Sequence, residues 1–212
     1  MMIDFNFYLI TDRRQIKNSP LHEVIRHAVN GGVRAVQLRE RDLSIRELLN
    51  LAGDIRDITA KRDVRLIINN RIDICLAVGA DGVHLRRDSL PVEVVRRILG
   101  DKKIIGVSTH NLSEAEEAEK GGADFITLSP IYHTTSKPDL LNPSGVDIIK
   151  RIKEKISVPV FALGGIMAGN IDEVLAAGAD GVAVVSSIMK AEDVEASTAM
   201  LLDKINSWRR ER

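Results

Sequence analysis

Short apolar runs rich in β-branched residues alternate along this chain with longer segments whose apolar residues recur at three- and four-residue spacing, the pattern of repeated strand-helix units. The runs predict eight strands, at residues 7–11, 35–38, 65–68, 82–85, 104–107, 125–128, 160–163 and 181–185. Helical periodicity marks 21–30, 43–60, 92–99, 113–120 and 148–155 as amphipathic helices that cover a sheet. An internal repeat supports the alternation. Gly79-Ala80-Asp81-Gly82, Gly122-Ala123-Asp124-Phe125 and Gly178-Ala179-Asp180-Gly181 each close a helix and enter a strand, and Gly32-Val33-Arg34-Ala35 is a weaker copy. Eight strands joined by parallel crossovers can close on themselves, whereas an open sheet leaves edges to protect. The expected architecture is one (β/α)₈ TIM barrel over residues 1–212, with Asp81, Asp124 and Asp180 structural, at the end opposite the usual active site.

Composition narrows the function more than the fold. Hydrophobic residues make up 44% and charged residues 28%, ordinary for a globular domain and far from a disordered one. Thirty basic residues balance thirty acidic ones, so the field that draws in nucleic acid or an anionic membrane is absent. No nucleic-acid or membrane partner is expected. The lone cysteine, Cys75, sits among apolar residues and reads as a core residue. The N-terminal residues lack a basic region followed by an apolar run, and no stretch approaches about 18 uninterrupted apolar residues. A cytoplasmic location is the expectation.

In such a barrel the reacting groups come from the carboxyl ends of the strands and the loops that follow. Those positions hold Thr11 and Asp12, Gln37 to Arg41, Asn69 and Asn70, His84 to Ser89, Ser108 to His110, Ser129 to Lys137, Gly164 and Gly165, and Val185 to Ser187. Hydroxyls, glycine amides and cations together are suited to phosphate. Gly164-Gly165 after strand seven and Val185-Ser186-Ser187 after strand eight form the pair of loops between which barrels commonly seat a phosphate. The alternative reading is a tight turn and a small-residue packing contact. Thr134, Thr135 and Ser136 precede Lys137 in a long loop that reads as a mobile cover or as a solvated surface loop. In Gln37-Leu38-Arg39-Glu40-Arg41 the two arginines share one side of an extended segment. They could clamp a diphosphate or pair with Glu40 and Asp42. His84 reads as a packed, hydrogen-bonded histidine, while His110 and His133 are better placed to move a proton.

Tyr8-Leu9-Ile10-Thr11-Asp12, Val36-Gln37-Leu38-Arg39-Glu40, Leu66-Ile67-Ile68-Asn69-Asn70-Arg71, Asp81-Gly82-Val83-His84-Leu85, Gly106-Val107-Ser108-Thr109-His110 and Gly181-Val182-Ala183-Val184-Val185-Ser186 resemble the thiamine phosphate synthase and TenI family, in order and over nearly the whole chain. The resemblance implies thiamine biosynthesis, with small phosphorylated pyrimidine and thiazole compounds as partners. It places the pyrimidine diphosphate against Gln37, Arg39, Arg41, Asn69, Ser108 and Lys137, in the segment that includes Leu38 and Glu40. It places the thiazole phosphate against Thr134, Ser136, Gly165, Val185 and Ser186, with Thr135 in the same loop. Arg39, Ser108 and Lys137 are the expected catalytic residues of the transfer, and His110 and His133 the expected proton carriers. The family resemblance also implies Mg²⁺. The synthases carry aspartates where this chain has Asn70 and Ser89, leaving Asp88 as the neighbouring carboxylate, and Arg86 and Arg87 replace a glycine and a glutamine. A TenI-like thiazole tautomerase is the alternative, although the histidine of that branch corresponds to Pro130 here. A non-catalytic regulator that binds a thiamine precursor is a third reading. Whether the chain forms a homo-oligomer is left open.

Overall fold

The computed structural model describes residues 3–134 and 142–210. Among these residues, eight parallel strands close into a barrel in sequence order. They are β1 (Phe7–Ile10), β2 (Ala35–Leu38), β3 (Arg65–Asn69), β4 (Gly82–Leu85), β5 (Ile104–Thr109), β6 (Phe125–Leu128), β7 (Val160–Leu163) and β8 (Gly181–Val184). The helices around them are α1 (Leu21–Asn30), α2 (Ile45–Ala60), α3 (Ile72–Ala77), α4 (Val92–Leu99), α5 (Leu112–Lys120), α6 (Asp147–Lys153), α7 (Ile171–Ala176), the single turn α8 (Ser186–Met189) and α9 (Val194–Arg210). The (β/α)₈ expectation holds. The strand boundaries move by two residues at most, the largest change being the extension of β5 to Thr109.

Side chains alternate across each strand, so a residue two along shares its face. One set points out. Phe7, Leu9, Val36, Leu38, Leu66, Ile68, Val83, Leu85, Val107 and Ile126 pack into the layer between barrel and helices, against residues such as Ile25, Ala52, Ile55 and Val95. The other set points in, and its lower part is aromatic: Phe5, Tyr8, Phe125 and Phe161 meet edge-on or tilted at centroid separations of 5.3–6.2 Å. This plug closes the amino-terminal end. Above it the inward positions turn polar. The strand register puts Asn69 beside His84 and Ser108 beside Thr127.

The repeated aspartates lie on the amino-terminal rim, as expected. Each glycine that ends the preceding helix has a positive φ, 63° at Gly79, 92° at Gly122 and 99° at Gly178. Each aspartate then accepts a backbone N–H of the neighbouring strand: Leu66 for Asp81 at 2.8 Å, Ile105 for Asp124 at 2.7 Å and Val160 for Asp180 at 2.7 Å. A cation from a preceding helix completes each cap, namely Arg56, Arg96 and Lys153 at 2.6–2.8 Å. In the fourth copy Arg34 takes the aspartate's place and pairs instead with Asp63 at 3.6 Å.

Candidate active site

The carboxyl ends of the strands surround a cavity of about 280 Å³. Its floor is a hydrogen-bonded chain of inward side chains. Gln37 Nε2 donates to the Tyr8 hydroxyl at 3.0 Å. That hydroxyl lies 3.4 Å from His84 Nδ1, and His84 Nε2 lies 3.0 Å from Ser108 Oγ and 3.3 Å from Thr127 Oγ1. The Tyr8 hydroxyl can thus donate to Nδ1, and in that tautomer of the ring Nε2 donates toward Ser108 and Thr127. Ser108 and Thr127 both line the cavity. Burial pushes the Tyr8 phenol well above its usual range, so it stays protonated. His84 is thus packed and bonded as expected, and it also lines the cavity. Tyr8 and Thr127, absent from the residues predicted above, were marked in the sequence only by their inward phase in the strands.

Arg39, Arg41 and Arg86 stand on one side of the cavity, beyond the ends of β2 and β4. The ion-pair alternative for the first two does not hold. Glu40 and Asp42 pair with Arg13 instead, at 3.6 and 2.9 Å, and Glu40 also accepts from the Thr11 hydroxyl at 2.6 Å and from the Arg13 N–H. Burial, opposed by those bonds, leaves the Glu40 carboxyl above its usual pKa. Burial also lowers the pKa of Arg39, only partly offset by Asp12 and Glu40. Arg41 is brought down to about 10, first by desolvation and then by the neighbouring Arg39 and Arg86. Arg39 and Arg41 both remain cations at neutral pH. Asp12 is not available to them as a full partner: burial opposes its ionisation, but bonds from Gln15 and Arg14 prevail and hold its pKa below the usual value.

Half a turn around the barrel, the loops after β7 and β8 form the facing wall. Gly164 and Gly165 have φ of 99° and 66°, a region that side chains other than glycine rarely enter. A Cβ at Gly165 would stand 2.5 Å from the His133 carbonyl oxygen, and one at Gly164 would stand 2.9 Å from Pro130. The glycines therefore let the loop after β6 press onto the loop after β7, the packing role that the sequence allowed as an alternative. The two serine hydroxyls are engaged internally, Ser186 donating to Gln15 Oε1 at 2.7 Å and Ser187 to the Ile166 carbonyl at 2.6 Å. With both hydroxyl protons committed, an anion at this wall would be met by backbone N–H groups.

Many of the residues predicted from the sequence converge as expected: Gln37, Arg39, Arg41, Asn69, Ser108, His110, His133, Thr134, Gly165, Val185 and Ser186 all line the cavity. Two do not. Leu38 points outward into the helical layer, and Glu40 is held by Thr11 and Arg13 away from the cavity, because alternation along the segment sends every second side chain to the other face. Thr135, Ser136 and Lys137 lie outside the described residues. His110 directs Nδ1 at the Ser129 carbonyl, which fixes its hydrogen there and leaves Nε2 as the acceptor of the neutral ring.

The chain matches the family model described as thiamine monophosphate synthase over residues 7–188. It belongs to that family. The thiamine-phosphate synthase of Clostridium novyi (strain NT) is 44% identical over 201 residues, which cover 95% of this chain and 98% of that protein. That of Chloroflexus aurantiacus is 43% identical over 200 residues, covering 94% and 92%. The thiamine phosphate pyrophosphorylase structure from Pyrococcus furiosus superposes with a TM-score of 0.87 at 37% identity and 96% coverage of each chain. At 17% identity and TM-score 0.68, 3-hexulose-6-phosphate synthase shares the fold alone. The chain is an enzyme of the thiamine monophosphate synthase type and acts in thiamine biosynthesis. Among its described residues no helix is long and apolar enough to cross a membrane.

The Mg²⁺ implied by the family resemblance finds a poor set of ligands. Ser89 Oγ donates to Asn70 Oδ1, so these two neutral groups satisfy each other, and neither lines the cavity. Asp88 is exposed and is bound by Arg86 at 2.9 Å. Among the described residues no three His, Cys, Asp or Glu side chains gather to hold a metal. A hard divalent cation prefers charged oxygens, and Asn70, Asp88 and Ser89 do not offer them as a group.

Proposed function

We propose that this enzyme joins the methylene of an aminopyrimidine diphosphate to the ring nitrogen of a hydroxyethylthiazole phosphate, giving thiamine phosphate and pyrophosphate. The observation that carries the reading is the pairing of two anion-favouring walls across one cavity, arginines after β2 and β4 and the glycine and serine loops after β7 and β8. In the reaction the bond between methylene carbon and diphosphate oxygen breaks with its electron pair on oxygen. The thiazole nitrogen supplies the pair for the new carbon–nitrogen bond. Arg39 and Arg41 meet the charge that grows on the leaving group, the kind of preorganised electrostatic stabilisation that contributes most to such a step. Ser108, oriented through Gln37, Tyr8 and His84, donates to the same region.

The Gly165 and Ser186 amides supply donors to the thiazole phosphate from the facing wall, and Thr134 lines the same cavity. This division keeps the two anions apart while nitrogen and methylene meet between them, the positioning that turns a bimolecular reaction into an intramolecular one. Incubation with both phosphorylated substrates should yield thiamine phosphate and pyrophosphate, read by chromatography. No product at high enzyme concentration would sink the reading. The tautomerase alternative finds Pro130, which cannot carry a proton, where that branch has its histidine.

A further inference from the structure

The residues that fail as a metal site do something else. Asn70, Ser89 and the backbone of Arg86 form a closed set of bonds: the Arg86 N–H donates to Ser89 Oγ at 2.7 Å, the Ser89 N–H donates to the Arg86 carbonyl at 3.0 Å, and Ser89 Oγ donates to Asn70 Oδ1. Asn70 is itself fixed, with a φ of 57° and its N–H on the His84 carbonyl at 3.0 Å. The turn after β4 is therefore pinned to the end of β3, and it carries Arg86 into the lining of the cavity that Arg39 and Arg41 also line.

We propose that Arg86 takes the place of a divalent cation, so that the diphosphate group is held by Arg39, Arg41 and Arg86 without metal. This rests on the synthase reading above. The carboxylates near the cluster do not cancel it: Asp12 is bound to Arg14 and Gln15, Glu40 is bound to Thr11 and Arg13, and Asp88 meets Arg86 in an exposed pair that water and salt screen. A multiply charged anion can displace so weak a partner. Three cations brought to one cavity are partly desolvated and repel one another, and both effects, desolvation first, lower the pKa of Arg41; an anion between them relieves the repulsion. Guanidinium forks also match diphosphate oxygens two at a time, which a point charge does not.

Calorimetric titration of the full chain with inorganic pyrophosphate in EDTA tests the proposal. The wild type is expected to bind, and R86Q to bind at least about tenfold more weakly, the scale of one lost charge-assisted contact. Among the described residues the Arg86 side chain pairs only with the exposed Asp88, so an unchanged thermal midpoint will show that R86Q still folds. The variant N70D/S89D/R86G, which exchanges the cation for two carboxylates, is expected to lose pyrophosphate in EDTA and regain it with Mg²⁺. Wild-type binding that is absent in EDTA, or R86Q affinity equal to wild type, would overturn the proposal. The product assay separates it from the underlying reading. Metal-free pyrophosphate binding through Arg86 without thiamine phosphate formation defeats the synthase reading alone, and product formation that requires Mg²⁺ and ignores R86Q defeats this inference alone.

Discussion

The two rims of the barrel use charge in opposite ways. At the amino-terminal rim each repeated aspartate is matched by a cation and by a strand N–H, as Asp124 is by Arg96 and Ile105. At the carboxyl-terminal rim Arg39 and Arg41 are half-buried or exposed cations with no carboxylate in ion-pair contact among the described residues, while the nearby Glu40 and Asp42 are drawn off by Arg13. Matched charge holds a fold together and does nothing more. Unmatched charge costs stability until an anion arrives, and the arrival then releases binding energy where the chemistry occurs.

Breaking the lower rim should have the largest effect on stability. Asp124→Ala leaves the Ile105 N–H without its acceptor and removes the Arg96 pair, and should cost about 3 kcal/mol, lowering the thermal midpoint by roughly 10 °C. Denaturant unfolding would check this, and a loss under about 1 kcal/mol would show the cap to be incidental. On the upper rim the reverse is expected. Arg39→Gln should leave the midpoint unchanged or raised while kcat/KM for the pyrimidine diphosphate falls about 100-fold, equivalent to about 2.7 kcal/mol. Steady-state kinetics decides it, and an equal fall in stability would erase the contrast between the rims.

Gly165→Ala belongs to neither pattern, since its Cβ would collide with the His133 carbonyl at a φ of 66°. It should lose about 2 kcal/mol from strain and displace the loop after β6. A crystal structure with the loop unmoved would contradict the packing argument. The smallest effect concerns Glu40, whose pKa in the fold is raised above the ordinary 4.5, so its ionised form is the disfavoured one. The wild type should therefore lose stability relative to Glu40→Gln as pH rises from 4.5 through the raised value, and keep a constant deficit above it. Parallel melting curves from acid to neutral pH would show this, and a gap that narrows with rising pH would refute the burial account.

The upper site was legible in the sequence only as far as strand phase carries. Gln37, Arg39, Arg41, Asn69 and Ser108 share the inward face and line the cavity; Glu40, one residue out of phase and grouped with them from the sequence, faces Thr11 and Arg13 instead. Tyr8 and Thr127 were overlooked because a tyrosine or threonine inside an apolar run looks like core until the register brings it to His84.

By itself the sequence determined the eightfold alternation, the Gly-Ala-Asp turns and the ends of the strands where chemistry would gather, because these follow from local periodicity and backbone preference. Only the tertiary structure decided which acids neutralise which bases. Arg13 is far from Glu40 along the chain yet captures it, Ser89 bonds Asn70 across two units, and those distant pairings leave Arg39, Arg41 and Arg86 facing one cavity. Electrostatic partners are set by distance in space, which barrel closure fixes and sequence separation does not.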